Sequence, residues 1–72
     1  MIRIIGLSER VLDNIPEEIL SYVNKNAGIV EFCEWYYLNT YSDHVEVIVE
    51  DEGGNKEVVT FLYADFYRIE LE

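Results

Sequence analysis

The sequence predicts an α+β fold, in which one short and one longer N-terminal helix pack on one face of a three- to four-stranded antiparallel β-meander. Apolar residues from Leu7 to Ala27 recur at steps of three to five residues, which indicates helix. From Ile29 onward β-branched and aromatic residues dominate, and turn signals divide this part into strands. No linker or repeat interrupts the 72 residues, so residues 1–72 are predicted to form a single small acidic domain.

The first part of the chain carries signals for two helices after a short strand over Ile2–Ile5. Ser8 is a residue type that caps helix N-termini, so a short helix is expected over Ser8–Asn14. A proline is tolerated in the first turn of a helix, so a longer helix is expected over Pro16–Ala27. Gly28 then stands where a left-handed helix end belongs.

The second part reads as consecutive strands with short connections, which favours antiparallel pairing. Loops centred on Ser42-Asp43 and on Gly53-Gly54 pair Leu38 with Val47 and Val49 with Val58. The expected strands are Val30–Tyr41, His44–Asp51, Glu57–Leu62 and Phe66–Leu71.

These registers divide the sheet into an aliphatic face, which should receive the helices, and an open face that mixes rings with carboxylates. Such a mixture is typical of a recognition surface, although exposed rings can also simply pack on one another across strands. In this register Glu50 faces Glu57, a like-charge pair. The predicted partner-binding residues on the open face are Trp35, Tyr37, Glu46, Glu50, Glu57 and Phe61, and a second patch at helical spacing consists of Glu9, Asp13 and Glu17.

The charge of the chain restricts its partners. Asp and Glu number 15 against five Lys and Arg, giving a net charge of −10. Nucleic acid and anionic lipid repel such a chain, so we expect neither direct nucleic-acid binding nor membrane binding. The expected partner is a basic protein or nucleoprotein complex.

The sequence lacks signals for catalysis. His44 is the only histidine, and in the predicted register it lies about 27 Å from Cys33 at ~3.4 Å per residue. The Gly-rich segment 51–55 does not match a calcium loop. We therefore expect no enzyme, no cofactor and no metal site. A lone cysteine and the lack of a signal peptide predict cytoplasmic localisation.

In size and composition the chain resembles small phage-encoded inhibitors, among them anti-CRISPR proteins and other DNA mimics. The resemblance is one of bulk character over the whole chain and rests on no shared motif, so it assigns no functional residue. It implies a small acidic intracellular inhibitor that occupies a basic surface of a nucleic-acid-handling complex. Two alternatives stay open: an immunity protein or antitoxin against a basic nuclease, and a homodimeric structural or accessory module without an inhibitory role.

Overall fold

The computed structural model describes residues 1–32, 36–50 and 53–71, which form mainly antiparallel strands. The helices among these residues are short: α1 (Glu9–Leu12) and two 3₁₀ helices, Glu17–Tyr22 and Tyr63–Asp65. The strands are β1 (Ile2–Ile5), β2 (Val23–Asn24), β3 (Ile29–Phe32), β4 (Tyr36–Thr40), β5 (His44–Glu50), β6 (Lys56–Leu62) and β7 (Arg68–Leu71).

The strands belong to two sheets, a four-stranded sheet with the order β2-β3-β1-β7 and a three-stranded sheet with the order β4-β5-β6. Every pairing is antiparallel. β1 lies between β3 and β7, so that Ile4 is the Cα partner of both Val30 and Ile69.

One hydrophobic core joins the two sheets. Phe32 of β3 and Phe61 of β6 meet edge to face, with ring centroids 6.5 Å apart. Ile19 of the first 3₁₀ helix is buried in the same cluster, and Tyr22 packs on Phe32 with ring centroids 5.4 Å apart. The buried strand residues alternate along the chain as one-sided burial requires: Ile2, Ile4, Val30 and Phe32 in the four-stranded sheet, and Val45, Val47, Val49, Val59 and Phe61 in the three-stranded sheet.

The predicted helix-plus-meander arrangement is wrong, because a second sheet occupies the side of the core where the helices were expected. The strand over Ile2–Ile5 and the Ser8 N-cap are confirmed, and the Ser8 hydroxyl accepts from the Val11 amide at 3.3 Å. The helix over Pro16–Ala27 is wrong: only Glu17–Tyr22 is helical, and it is 3₁₀.

The reason for this failure lies in the residues after Tyr22. Val23, Asn24 and Asn26 are poor helix formers, and the chain turns there into the β2–β3 hairpin. Gly28 has φ +65°, so it does adopt the left-handed conformation that was predicted, but in this turn rather than at a helix end.

The single strand predicted over Val30–Tyr41 is also wrong, because its two ends belong to different sheets, as β3 and β4. Cys33 and Trp35 lie outside the described residues. The last strand was expected to extend the meander, but β7 pairs with β1 and not with β6. The break near residues 63–65 is confirmed as the second 3₁₀ helix.

The predicted register of the three-stranded sheet is confirmed between β4 and β5 and is wrong between β5 and β6. Leu38 pairs with Val47, as predicted. Between β5 and β6 the prediction is off by one residue, since Val49 pairs with Glu57 and Glu50 pairs with Lys56. A one-residue shift exchanges the two faces of a strand. The observed register turns Val59 and Phe61 into the core and replaces the expected Glu50–Glu57 pair by opposite charges.

Candidate partner-binding surface

The side of the three-stranded sheet that faces away from the core forms the candidate surface, called the outer face below. Because Val45, Val47 and Val49 of β5 are buried, the alternate residues of β5 and their Cα partners point the other way. The outer face consists of Tyr37, Asn39, Tyr41, His44, Glu46, Ile48, Glu50, Lys56, Val58, Thr60 and Leu62.

An apolar row crosses the middle of the outer face. Tyr37, Ile48 and Val58 are Cα partners on three neighbouring strands, so their side chains lie side by side. Tyr37 is 56% exposed and Val58 is 58% exposed, so the row presents adjacent apolar side chains to solvent. In the free protein these apolar side chains are hydrated, and they are available for contact with another molecule.

Carboxylates of β5 lie on either side of this row. Glu46 has Asn39 and Thr60 as its cross-strand neighbours. Glu50 is opposite Lys56, whose Nζ lies 5.9 Å from the centroid of the Tyr37 ring. Lys56 is thus positioned for a weak cation–π contact, so one of the few cations of the chain borders the apolar row.

A cluster of polar rings occupies the end of the outer face near the β4–β5 turn. Tyr41 and His44 stack with centroids 4.6 Å apart, and His44 Nδ1 is hydrogen-bonded to Asp43 Oδ1 at 2.6 Å. A hydrogen bond to the Glu46 carboxylate raises the pKa of the Tyr41 hydroxyl above its ordinary value. The hydrogen bond with His44 lowers the pKa of Asp43. These contacts group the ring of Tyr41 with His44 and with the carboxylate of Glu46.

The structure brings together three of the six predicted open-face residues: Tyr37, Glu46 and Glu50. Phe61 is 2% exposed and is a core residue, so its prediction as a contact residue is wrong. Glu57 is exposed but lies on the core-facing side of β6, where it lines a small cleft of about 200 Å³ with Glu18. Trp35 lies outside the described residues.

The second predicted patch does not form a helical row. Glu9 belongs to α1, Asp13 caps the end of that helix, and Glu17 begins the separate 3₁₀ helix beyond Pro16. All three carboxylates are exposed. Glu9 and Asp13 remain one helical turn apart, since the Asp13 amide donates to the Glu9 carbonyl at 2.8 Å, but Glu17 lies beyond the end of that helix and does not continue the row.

The arginines of the described chain are bound by carboxylates away from the outer face. Arg3 pairs with Glu31 at 2.9 Å and with Glu70 at 3.2 Å, and Arg68 also pairs with Glu70 at 3.0 Å, all on the four-stranded sheet. Arg10 pairs with the buried carboxylate of Asp65.

Sequence reasoning missed Val58 and Leu62, which are exposed on β6. The alternation of side chains along β6 could have predicted their exposure. If Phe61 is buried, every second residue from it faces inward, so Val58, Thr60 and Leu62 face outward.

The described residues contain no group of three or more His, Cys, Asp or Glu side chains arranged to hold a metal ion. Within the same ranges no helix has both the length and the apolar character needed to cross a membrane. Comparison of the chain with known protein families, with curated proteins and with solved structures finds no match.

Proposed function

We propose that this chain is a small acidic binding protein that docks through the outer face onto a basic surface of a nucleic-acid-handling protein or nucleoprotein complex and blocks it. The observation that carries the proposal is the pairing of an exposed apolar row, Tyr37–Ile48–Val58, with the carboxylates of Glu46 and Glu50 on one side of a sheet. The proposed site of action is the cytoplasm.

Charge would draw such a partner to the chain. Duplex DNA presents one negative charge per ~1.7 Å of helix axis, and proteins that bind it present cationic grooves. A net charge of −10 on 72 residues attracts the same grooves, which raises the rate of encounter at low salt. Because arginine and carboxylate pair with each other on the four-stranded sheet, the negative field there is partly neutralised.

The apolar row would hold the partner after encounter. Tyrosine gives a large contact area at low cost in conformational entropy and is enriched at interface centres. Tyr37 therefore serves as the main anchor, with Ile48 and Val58 beside it. The carboxylates of Glu46 and Glu50 border this anchor, where they can meet lysines or arginines of the partner.

The test is affinity capture from cells of the source organism, followed by quantitative binding of the captured protein. We compare the wild type with the outer-face variant Glu46→Gln/Glu50→Gln and with the charge-matched control Glu9→Gln/Asp13→Asn. We expect a basic nucleic-acid-binding protein whose dissociation constant rises about tenfold for the outer-face variant, about 1.4 kcal/mol, and much less for the control. The wild type should also displace nucleic acid from that protein.

Three results would contradict the proposal. Equal weakening by both double variants would mean that only bulk charge matters and that the outer face is not the interface. A captured protein that keeps its nucleic acid in the presence of the chain would exclude blocking. A homodimer that survives high salt and hides the outer face would favour a structural module, because a hydrophobic contact is insensitive to screening whereas capture by a cationic partner is weakened.

A further inference from the structure

β6 is a free edge of the three-stranded sheet and, at seven residues, the longest edge strand of the described chain. Edge strands expose backbone N–H and C=O groups that can pair with another chain. Natural proteins often protect such edges with charges or prolines, but the middle of β6 reads Val58, Val59, Thr60 and Phe61. This edge is therefore open to strand addition.

The hydrogen bonds at the end of the hairpin show which backbone groups of β6 point outward. The Tyr63 amide donates to the Asp43 carbonyl at 3.2 Å, and these residues continue the β5–β6 register. In antiparallel pairs hydrogen-bonded and non-hydrogen-bonded residues alternate, so Phe61 and Val59 bond to β5. The backbone groups of Val58, Thr60 and Leu62 consequently face the free edge.

The other hairpin of the sheet gives the same assignment independently. The Tyr41 amide donates to the His44 carbonyl at 2.9 Å, so the backbone of His44 points toward β4 and away from β6. Among the described residues, no turn, loop or cap hydrogen bond of the backbone reaches Val58 or Thr60, whereas Leu62 also precedes the second 3₁₀ helix as its N-cap.

A cleft of about 260 Å³ runs beside this edge on the core-facing side of the sheet. Val59 and Phe61 line it from β6, and Val11, Pro16 and Ile19 line it from the helical segment. The polar residues Arg10, Asn14 and Asp65 also belong to its lining, and Arg10 is paired with Asp65. A strand laid along β6 would thus turn alternate side chains into this cleft, beside Val59 and Phe61, and the others onto the outer face beside Val58 and Thr60.

We infer that the free edge of β6 accepts one extended cationic segment of the partner as a fourth strand, an inference that rests on the proposed function. Two observations favour this occupant. The edge is continuous with the outer face. The carboxylate of Glu46 lies opposite Thr60 on that face, so only β6 separates it from an added strand. A second copy would bring another net charge of −10 to the same edge, which favours a cationic strand instead.

The probe is an acetylated and amidated hexapeptide of alternating lysine and valine, titrated into ¹⁵N-labelled protein. Residues directly opposite in a sheet share a face, so its lysines should pair with Val58 and Thr60 while its valines enter the cleft. We expect amide shifts at Val58, Thr60 and Leu62. The amides of Leu38 and Thr40 should stay unchanged, because they point to the other free edge, that of β4.

Three controls isolate the backbone and charge contributions. The same peptide with N-methylated lysines lacks the donors that would face β6 and should bind at least about tenfold more weakly. A glutamate–valine peptide should not bind. Thr60→Pro removes one edge donor without removing a β5 bond, and should weaken the unmodified peptide about tenfold, whereas Thr60→Val should not.

The outcomes separate this inference from the proposed function. Equal binding of the N-methylated peptide, with shifts at Tyr37 and Ile48 only, would overturn strand addition and leave outer-face binding intact. No shift at any residue would overturn strand addition, while outer-face binding is decided separately by the double variants and the captured partner. The protein without peptide could instead form a dimer that Thr60→Pro dissociates. That result would overturn the inference, because it would show that a second copy occupies the edge. Because the N-methylated peptide uses the wild-type protein, the test does not depend on folding of the proline variant.

Discussion

Val58 and Val59 are adjacent valines on β6 with opposite surroundings, and their separate replacement by alanine tests which face of β6 is buried. Val59 is 7% exposed and belongs to the core, whereas Val58 is 58% exposed on the outer face. The register predicted from a loop centred on Gly53-Gly54 would exchange these roles. The two variants remove the same two methyl groups from neighbouring positions of one strand, so each is the control of the other.

The expected difference follows from burial. Complete burial of a valine side chain is worth ~1.5–3 kcal/mol, and the two residues differ by about half of that burial, so transfer contributes about 1 kcal/mol to the difference. A cavity at the packed site adds about 0.5–1 kcal/mol for Val59. Loss of strand propensity costs both variants alike, less than about 1 kcal/mol. Val59→Ala should therefore lower the unfolding free energy by about 2–3 kcal/mol and Val58→Ala by about 0.5–1 kcal/mol.

The assay is urea unfolding followed by far-ultraviolet circular dichroism. With a slope of about 1 kcal/mol/M, the midpoints of the two variants should differ by about 1.5–2 M. Stability of a 72-residue domain is about 4–11 kcal/mol, so both variants should remain folded in water. If Val58→Ala lowers the midpoint as much as Val59→Ala does, the described β5–β6 register and the outer face built on it are wrong.

Further predictions concern backbone geometry, a buried carboxylate and a tyrosine pKa. Gly6→Ala should lower the free energy of unfolding in urea by about 3 kcal/mol, because Gly6 has φ +77° and an added Cβ would lie 2.5 Å from the Cβ of Tyr67. Gly54→Ala, at φ +80° in open space, should lower it by about 1 kcal/mol. Asp65→Asn should cost about 2 kcal/mol, since this buried side chain accepts from a serine and an arginine. Tyr41 should titrate above its ordinary pKa of 10.0. Its interaction with Glu46 therefore stabilises the folded protein fully below pH 10.0, and this stabilisation is lost as the pH rises through the pKa of the folded state. Glu46→Gln should lower the pKa of Tyr41 in an ultraviolet titration.

Local signals in the sequence were sufficient for the β4–β5 hairpin and part of the site. The short turn between Tyr41 and His44 fixed the pairing of Leu38 with Val47, and this register places Tyr37 and Glu46 on the same face. Because side chains alternate along a strand, Glu50 is predicted to lie on the same face as Glu46. No information from distant parts of the chain was needed.

The β5–β6 hairpin failed because its turn signal fixes the loop only to within one residue. A loop centred between Gly53 and Gly54 and one centred on Gly53 are both compatible with the glycines, and residues 51–52 lie outside the described ranges. The difference is decided by the core, which gains Phe61 and Val59 in the observed register. One residue of slip was enough to move Phe61 from the predicted interface to the interior.

The architecture failed for a different reason, since it depends on contacts between distant segments. Nothing local to Arg68–Leu71 indicates that this strand pairs with Ile2–Ile5, yet that pairing builds the four-stranded sheet. Apolar residues near Ile19 have a helical period, but two turns of 3₁₀ helix already bury Ile19. Tertiary packing therefore overrode the local pattern.

We propose that the outer face of the three-stranded sheet is the partner-binding surface. Titration of the ¹⁵N-labelled protein with the unlabelled captured partner measures this most directly, through the shifts of individual amides. We predict that the largest changes occur at Tyr37, Ile48 and Val58, with little change at Arg3 and Glu70 of the four-stranded sheet. Changes concentrated at Arg3 and Glu70, with the outer-face amides unmoved, would contradict the account.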